Sequence, residues 1–259
     1  MFEAAWSGGA IPFDPVAWRA VAVAPVIGSF LGVVIRRLPA GEPIAWSRSR
    51  CDSCRAALTA RDLVPLLSWL MARGRCRFCA APIGWFYPAV ELAALAVAVV
   101  AAVRDAGAAA WLDCVLGWWL LALGWIDARH WLLPDMLTLP LILAGLGVGL
   151  AIEPASAPAH AVAAAIGYLG FRGLAYAYRR LRGRDGLGAG DAKLLAAGGA
   201  WLGVGALPPV ILIAALGGLL TALALRLAGV RLGAASAMPF GPFLALAIWL
   251  VWLFPGVLA

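Results

Sequence analysis

The chain has 259 residues, 64% hydrophobic and 13% charged, where soluble domains average about 45–50% and about 25%. That balance excludes an ordinary soluble fold and leaves a polytopic membrane protein. The net charge of +7 would suit a nucleic-acid binder, but the arginines gather in particular connections and form no single basic face, so no nucleic-acid partner is expected.

A membrane helix needs about 20 apolar residues. Candidate stretches lie at 16–36, 88–104, 111–127, 136–152, 159–178, 190–206, 209–226 and 238–254. The expectation is an all-α polytopic membrane protein of about eight transmembrane helices with a cytoplasmic zinc-binding loop. Its parts are 1–36 (N-terminus and first helix), 37–87 (the loop) and 88–259 (a seven-helix membrane catalytic domain). The sixth stretch is the weakest, being short and rich in Gly and Ala. Arg19 is the first basic residue, so the charged start of a cleavable signal is missing and the first span is expected to be retained. Arg36 and Arg37, seven arginines from Arg48 to Arg77, Arg129, four from Arg179 to Arg184, Arg226 and Arg231 all fall in alternate connections. The positive-inside rule then places both termini outside and those connections in the cytoplasm. The same rule accounts for "RRLRGRD" at 179–185 as an orientation signal, although anionic headgroups or an acidic partner would also suit it.

The first loop carries C-x2-C-x21-C-x2-C. Cys51, Cys54, Cys76 and Cys79 supply four soft thiolates, the donor set of a closed tetrahedral zinc site with a structural role. A cytoplasmic location disfavours disulfides there. Between the pairs, "DLVPLLSWLMARG" is too short to span. It could lie on the membrane surface or cover a substrate groove. Cys114, alone in an apolar run, reads as a small buried hydrophobe.

Ionisable groups inside membrane segments are functional candidates by default. Glu91 and Asp113 begin spans, where a helix-end role near the headgroups competes. Asp127 ends the third span and Pro134 and Asp135 open the fourth, Pro suiting a first helical turn. Asp191 opens the sixth span after Gly188 and Gly190, which free the backbone to approach a substrate or turn into the helix; Lys193 follows, able to lower a carboxylate's pKa or meet a substrate carboxylate. The topology puts Asp127 and Asp191 at one depth near the cytoplasmic face. Two level carboxylates can share a proton and activate water against a peptide bond. Asp191 could instead be an N-cap, and ion or proton transport also uses intramembrane acids. No HExxH, GxSxG or Walker ending competes.

These segments resemble the bacterial type IV prepilin peptidases, the GxGD membrane aspartic proteases that also process type II secretion pseudopilins. "FLGVVIRRLP" at 30–39, "PLLSWLMARGRCRFCAAPIGWFYPAVEL" at 65–92, "DARHWLLPDMLTLP" at 127–140, "GAGDAKLLAAGGAWLG" at 188–203 and "MPFGPFLA" at 238–245 are each similar to family segments. The resemblance implies catalysis by Asp127 and Asp191, with Asp135 able to position the pair. It implies removal of a prepilin's basic leader after a glycine, at the cytoplasmic side of the bacterial inner membrane. It further implies N-methylation of the new terminus with S-adenosylmethionine, for which this loop carries no separate signature. Asp185 stands where members often have Glu.

Overall fold

A computed structural model of the chain describes residues 14–45, 48–183, 186–230 and 237–255. Arg184, Asp185 and Arg231 lie outside the described residues. Each of the eight apolar stretches coincides with a helix: α1 (Pro15–Arg37), α3 (Phe86–Arg104), α4 (Gly107–His130), α5 (Asp135–Ile152), α6 (Ala157–Arg182), α7 (Ala189–Leu202), α8 (Leu207–Leu227) and α9 (Gly241–Leu253). A ninth, α2 (Leu67–Met71), lies in the cysteine loop. Among the described residues, five helical stretches are long and apolar enough to cross a membrane: those of α1, α3, α4 and α5, and Val204–Leu227, which contains α8. α6 is long but mixed in composition, and α7 and α9 have 14 and 13 residues.

The chain divides at Trp118–Trp119 into two compact units. In the first, α1 packs along α3. Asp14 caps α1 by accepting from Val16 and Ala17 (3.1 and 3.2 Å) and also accepts from the Gly107 N–H. Those three donors, Gly107 foremost, hold its carboxyl below the usual carboxylate range. Buried Trp118 donates Nε1–H to the Ala94 carbonyl at 2.9 Å. Cys114 is fully buried, as its apolar setting suggested.

In the second unit α7 packs against α5, α6 and α9. Ten of its 14 residues are buried, which explains the composition that made it the weakest candidate span. It is a central element and needs small side chains, not apolar bulk, because its neighbours' backbones come so close. A Cβ on Gly199 would lie 2.5 Å from the Ala163 carbonyl oxygen, and one on Gly167 of α6 would lie 2.9 Å from that of Leu195.

Candidate active site

Asp127 lies one turn before the end of α4, and only four residues separate α4 from α5. Trp131 there is left-handed (φ 56°), which turns the chain sharply. Pro134 is the N-cap residue of α5, not its first helical residue, and Asp135 begins the helix. Asp191 is the third residue of α7, and Gly188 is the N-cap. Asp191 is therefore no N-cap; its Oδ2 reaches back to accept the Gly188 N–H at 3.2 Å, the carboxylate half of a capping box.

These elements enclose a cavity of about 520 Å³ lined by every residue singled out above for catalysis or its support: Asp127, Pro134, Asp135, Gly188, Gly190, Asp191 and Lys193. Asp127 and Asp191 are buried, at 6% and 7% exposure. Gly190 has a local cause: a Cβ there would lie 2.9 Å from the Cβ of Leu133, so its absence lets the start of α7 close on the α4–α5 connection. The glycine makes room for the protein's own chain. Lys193 pairs with Asp135 across the α5–α7 packing, a partner that spacing alone could not reveal.

One neighbour of the acids was missed. Gly241, the first residue of α9, donates its N–H to Asp127 Oδ2 at 2.9 Å. A Cβ on it would meet that oxygen at 2.6 Å and the carboxyl carbon at 2.8 Å. The signal was the "MPFGPF" break, where a glycine sits between prolines, but a contact over 114 positions has no local signature.

Glu91 and Asp113 lie beyond the first turns of α3 and α4. Both are buried, at 4% exposure. Glu91 accepts the Leu66 N–H at 2.7 Å.

The four cysteines converge, their sulfurs all within 4.8 Å of one another and Cys51 and Cys79 at 3.9 Å. Four sulfurs at about 2.3 Å from one zinc would be about 3.8 Å apart, so this donor set fits the metal. Two matching turns build it. Cys51 N–H donates to Ala56 O and Arg55 N–H to Cys51 O; Cys76 N–H donates to Ala81 O and Ala80 N–H to Cys76 O. Arg55 and Ala80 share a left-handed φ of 59° and 57°. The backbone thus makes one turn twice. The N–H groups of Cys54 and Ser53 hold the Cys51 thiol down to about 6. The Ala81 N–H pulls Cys79 down, but burial and the facing sulfurs outweigh it and leave that thiol at about 11. A divalent cation relieves such crowding by displacing protons. Arg36 holds Asp52 of the first turn at 2.9 Å.

Comparison with known proteins covers both units. A family model described as Bacterial Peptidase A24 N-terminal domain matches residues 22–104, and one described as Type IV leader peptidase family matches residues 114–223. The chain is similar to the prepilin leader peptidase/N-methyltransferase of Burkholderia pseudomallei (strain 1026b), at 42% identity over 255 residues, 87% of this chain and 81% of the relative. It is 40% identical over 250 residues to the protein so named from Aeromonas hydrophila, covering 87% and 86%. The Dickeya chrysanthemi protein of that name is 41% identical over 244 residues, covering 85% and 86%. No solved structure matches the chain.

Proposed function

The chain belongs to the type IV leader peptidase family, and from that membership we propose that it cleaves the leaders of prepilins or pseudopilins with Asp127 and Asp191 as its catalytic pair. The observation that carries the reading is two buried carboxyls from different helices opening on one cavity.

Two carboxyls facing one cavity do not both ionise cheaply, so the pair shares a proton. The ionised member takes a proton from a bound water as its oxygen attacks the peptide carbonyl. The protonated member hydrogen-bonds to that carbonyl and then protonates the leaving amine. The Gly188 and Gly241 N–H groups fix the rotamers of Asp191 and Asp127, so neither acid must reorganise as charge develops. The Lys193–Asp135 pair ties the start of α7 to α5 at the cavity wall.

The arginine asymmetry supports cleavage at the cytoplasmic side of the inner membrane, with both termini outside. Basic prepilin leaders cut after glycine suit that side. The relatives' names support an N-methyltransferase activity; the family resemblance implies the new N-terminus as its acceptor and S-adenosylmethionine as its methyl donor. Cys51, Cys54, Cys76 and Cys79 hold zinc, which when bound cross-links a loop too small for a core of its own.

The test is co-expression with a prepilin, followed by mass measurement of the substrate's N-terminus. Asp127→Asn and Asp191→Asn should each leave the leader attached while the enzyme still inserts in the membrane. Continued cleavage by either variant removes that residue from the pair.

A further inference from the structure

The catalytic steps proposed above assign no role to α2, yet this short helix leaves an apolar stripe uncovered. Leu63, Val64, Leu67, Leu70 and Met71 are all exposed, rising from 41% at Leu63 to 76% at Met71. Leu67, Leu70 and Met71 stand three and four apart, on one face. Such a run exceeds the scattered single hydrophobes of an ordinary surface.

Polar ties set the depth of this stripe. The Leu66 N–H, just before α2, donates to Glu91 Oε2 at 2.7 Å. Glu91 lies five residues past Phe86, the first residue of α3, which is about 7.5 Å along the axis at 1.5 Å per residue. α3 is one of the membrane-length helices. Leu66 has a positive φ of 58° at the centre of a tight turn closed by the Leu67 N–H on Pro65 O at 2.6 Å, a conformation a leucine rarely adopts. A second tie comes from Trp69 of α2. Its Nε1–H donates to Ile83 O at 3.1 Å, and its ring lies 4.2 Å from that of Trp85. Trp85 is the N-cap residue of α3 and is 70% exposed. That is the level where amphipathic tryptophans gather in bilayers. The start of α2 is thus fastened at or below the level where α3 enters the membrane. Arg61, Arg73 and Arg75 are exposed on either side of the stripe.

We propose that α2 is an interfacial anchor. Its Leu67–Leu70–Met71 face is immersed at the boundary of acyl chains and headgroups in the leaflet that α3 enters. The flanking arginines lie on anionic phospholipid headgroups. A protein partner on this face is disfavoured by the depth of the Leu66–Glu91 tie.

The test uses the full chain reconstituted in vesicles of phosphatidylcholine and phosphatidylglycerol, with benzoylphenylalanine introduced at Met71 or, as control, at exposed Ser53 of the first cysteine turn. Irradiation followed by mass analysis should give phospholipid adducts severalfold more abundant at position 71 than at 53, enriched in phosphatidylglycerol. Glu91→Leu should reduce the adducts at 71 to the level at 53, whereas Glu91→Gln, whose amide oxygen still accepts the Leu66 N–H, should preserve them. Equal yields at the two positions, or adducts at 71 with a second copy of the chain in place of lipid, would overturn the proposal. The comparison in the otherwise unaltered chain decides it even where Glu91→Leu does not fold. Peptidase activity plays no part in the readout.

Discussion

Gly241→Ala tests whether the seating of Asp127 governs the chemistry. The added Cβ would lie 2.6 Å from Asp127 Oδ2, 2.8 Å from the carboxyl carbon and 3.0 Å from the Asp127 Cβ. Rotation of the carboxyl cannot relieve all three, so backbone must move. Restoring a carbon–oxygen separation of about 3.3 Å requires a displacement of about 0.7 Å. Misplacement by about 1 Å at a reacting group can cost about a hundredfold in rate, so the turnover of prepilin cleavage should fall between about tenfold and a hundredfold. Overpacking should cost the fold about 1–3 kcal/mol, and KM should change little because Gly241 is not among the residues lining the cavity. The assay is initial-rate cleavage of a prepilin in detergent micelles, with thermal unfolding measured on the same preparation. A variant with turnover within about twofold of the parent would refute the claim that this contact positions the acid.

Replacing any one of Cys51, Cys54, Cys76 or Cys79 with serine should abolish stoichiometric zinc in the purified protein, as measured by elemental analysis, because each supplies one of four converging sulfurs. Gly199→Ala should lower thermal stability by about 1–3 kcal/mol, since its Cβ would strike the Ala163 carbonyl. Gly147→Ala in α5, where nothing lies within 4 Å, should instead raise stability by up to about 1 kcal/mol through helix propensity. Lys193→Gln or Asp135→Asn should each change stability by no more than about 1 kcal/mol, because the pair is partly exposed. Each should slow cleavage, and the charge-swapped double variant should recover part of the rate.

The eight helices were legible because apolar run length is a local property, and prolines and glycines mark the breaks. The convergence of the four cysteines was legible in their paired spacing, and the meeting of Asp127 and Asp191 at one cavity in the shared depth that the topology gave them. What escaped depends on contacts between distant segments. α7 looked weak as a span because hydropathy measures contact with lipid, whereas its glycines and alanines serve contact with α6. Glu91 reads as a helix-end acid until Leu66, 25 positions away, is seen donating to it. Lys193 gains a meaning only beside Asp135. Gly241 acts through a main-chain N–H, and a backbone donor leaves no mark in a residue's identity. The twin cysteine turns share hydrogen bonds more than they share letters, since Arg55 and Ala80 occupy the same conformation.

Both buried acids are held by main-chain donors at glycines, Gly188 and Gly241. Such a donor survives every substitution but proline, so the orientation of the acids is insulated from drift among the surrounding side chains. The cost falls on the glycines themselves, because at each a Cβ would press on the very carboxylate oxygen the N–H serves, at 3.0 and 2.6 Å. The positions that hold the acids are therefore fixed by shape as well as by hydrogen bonding.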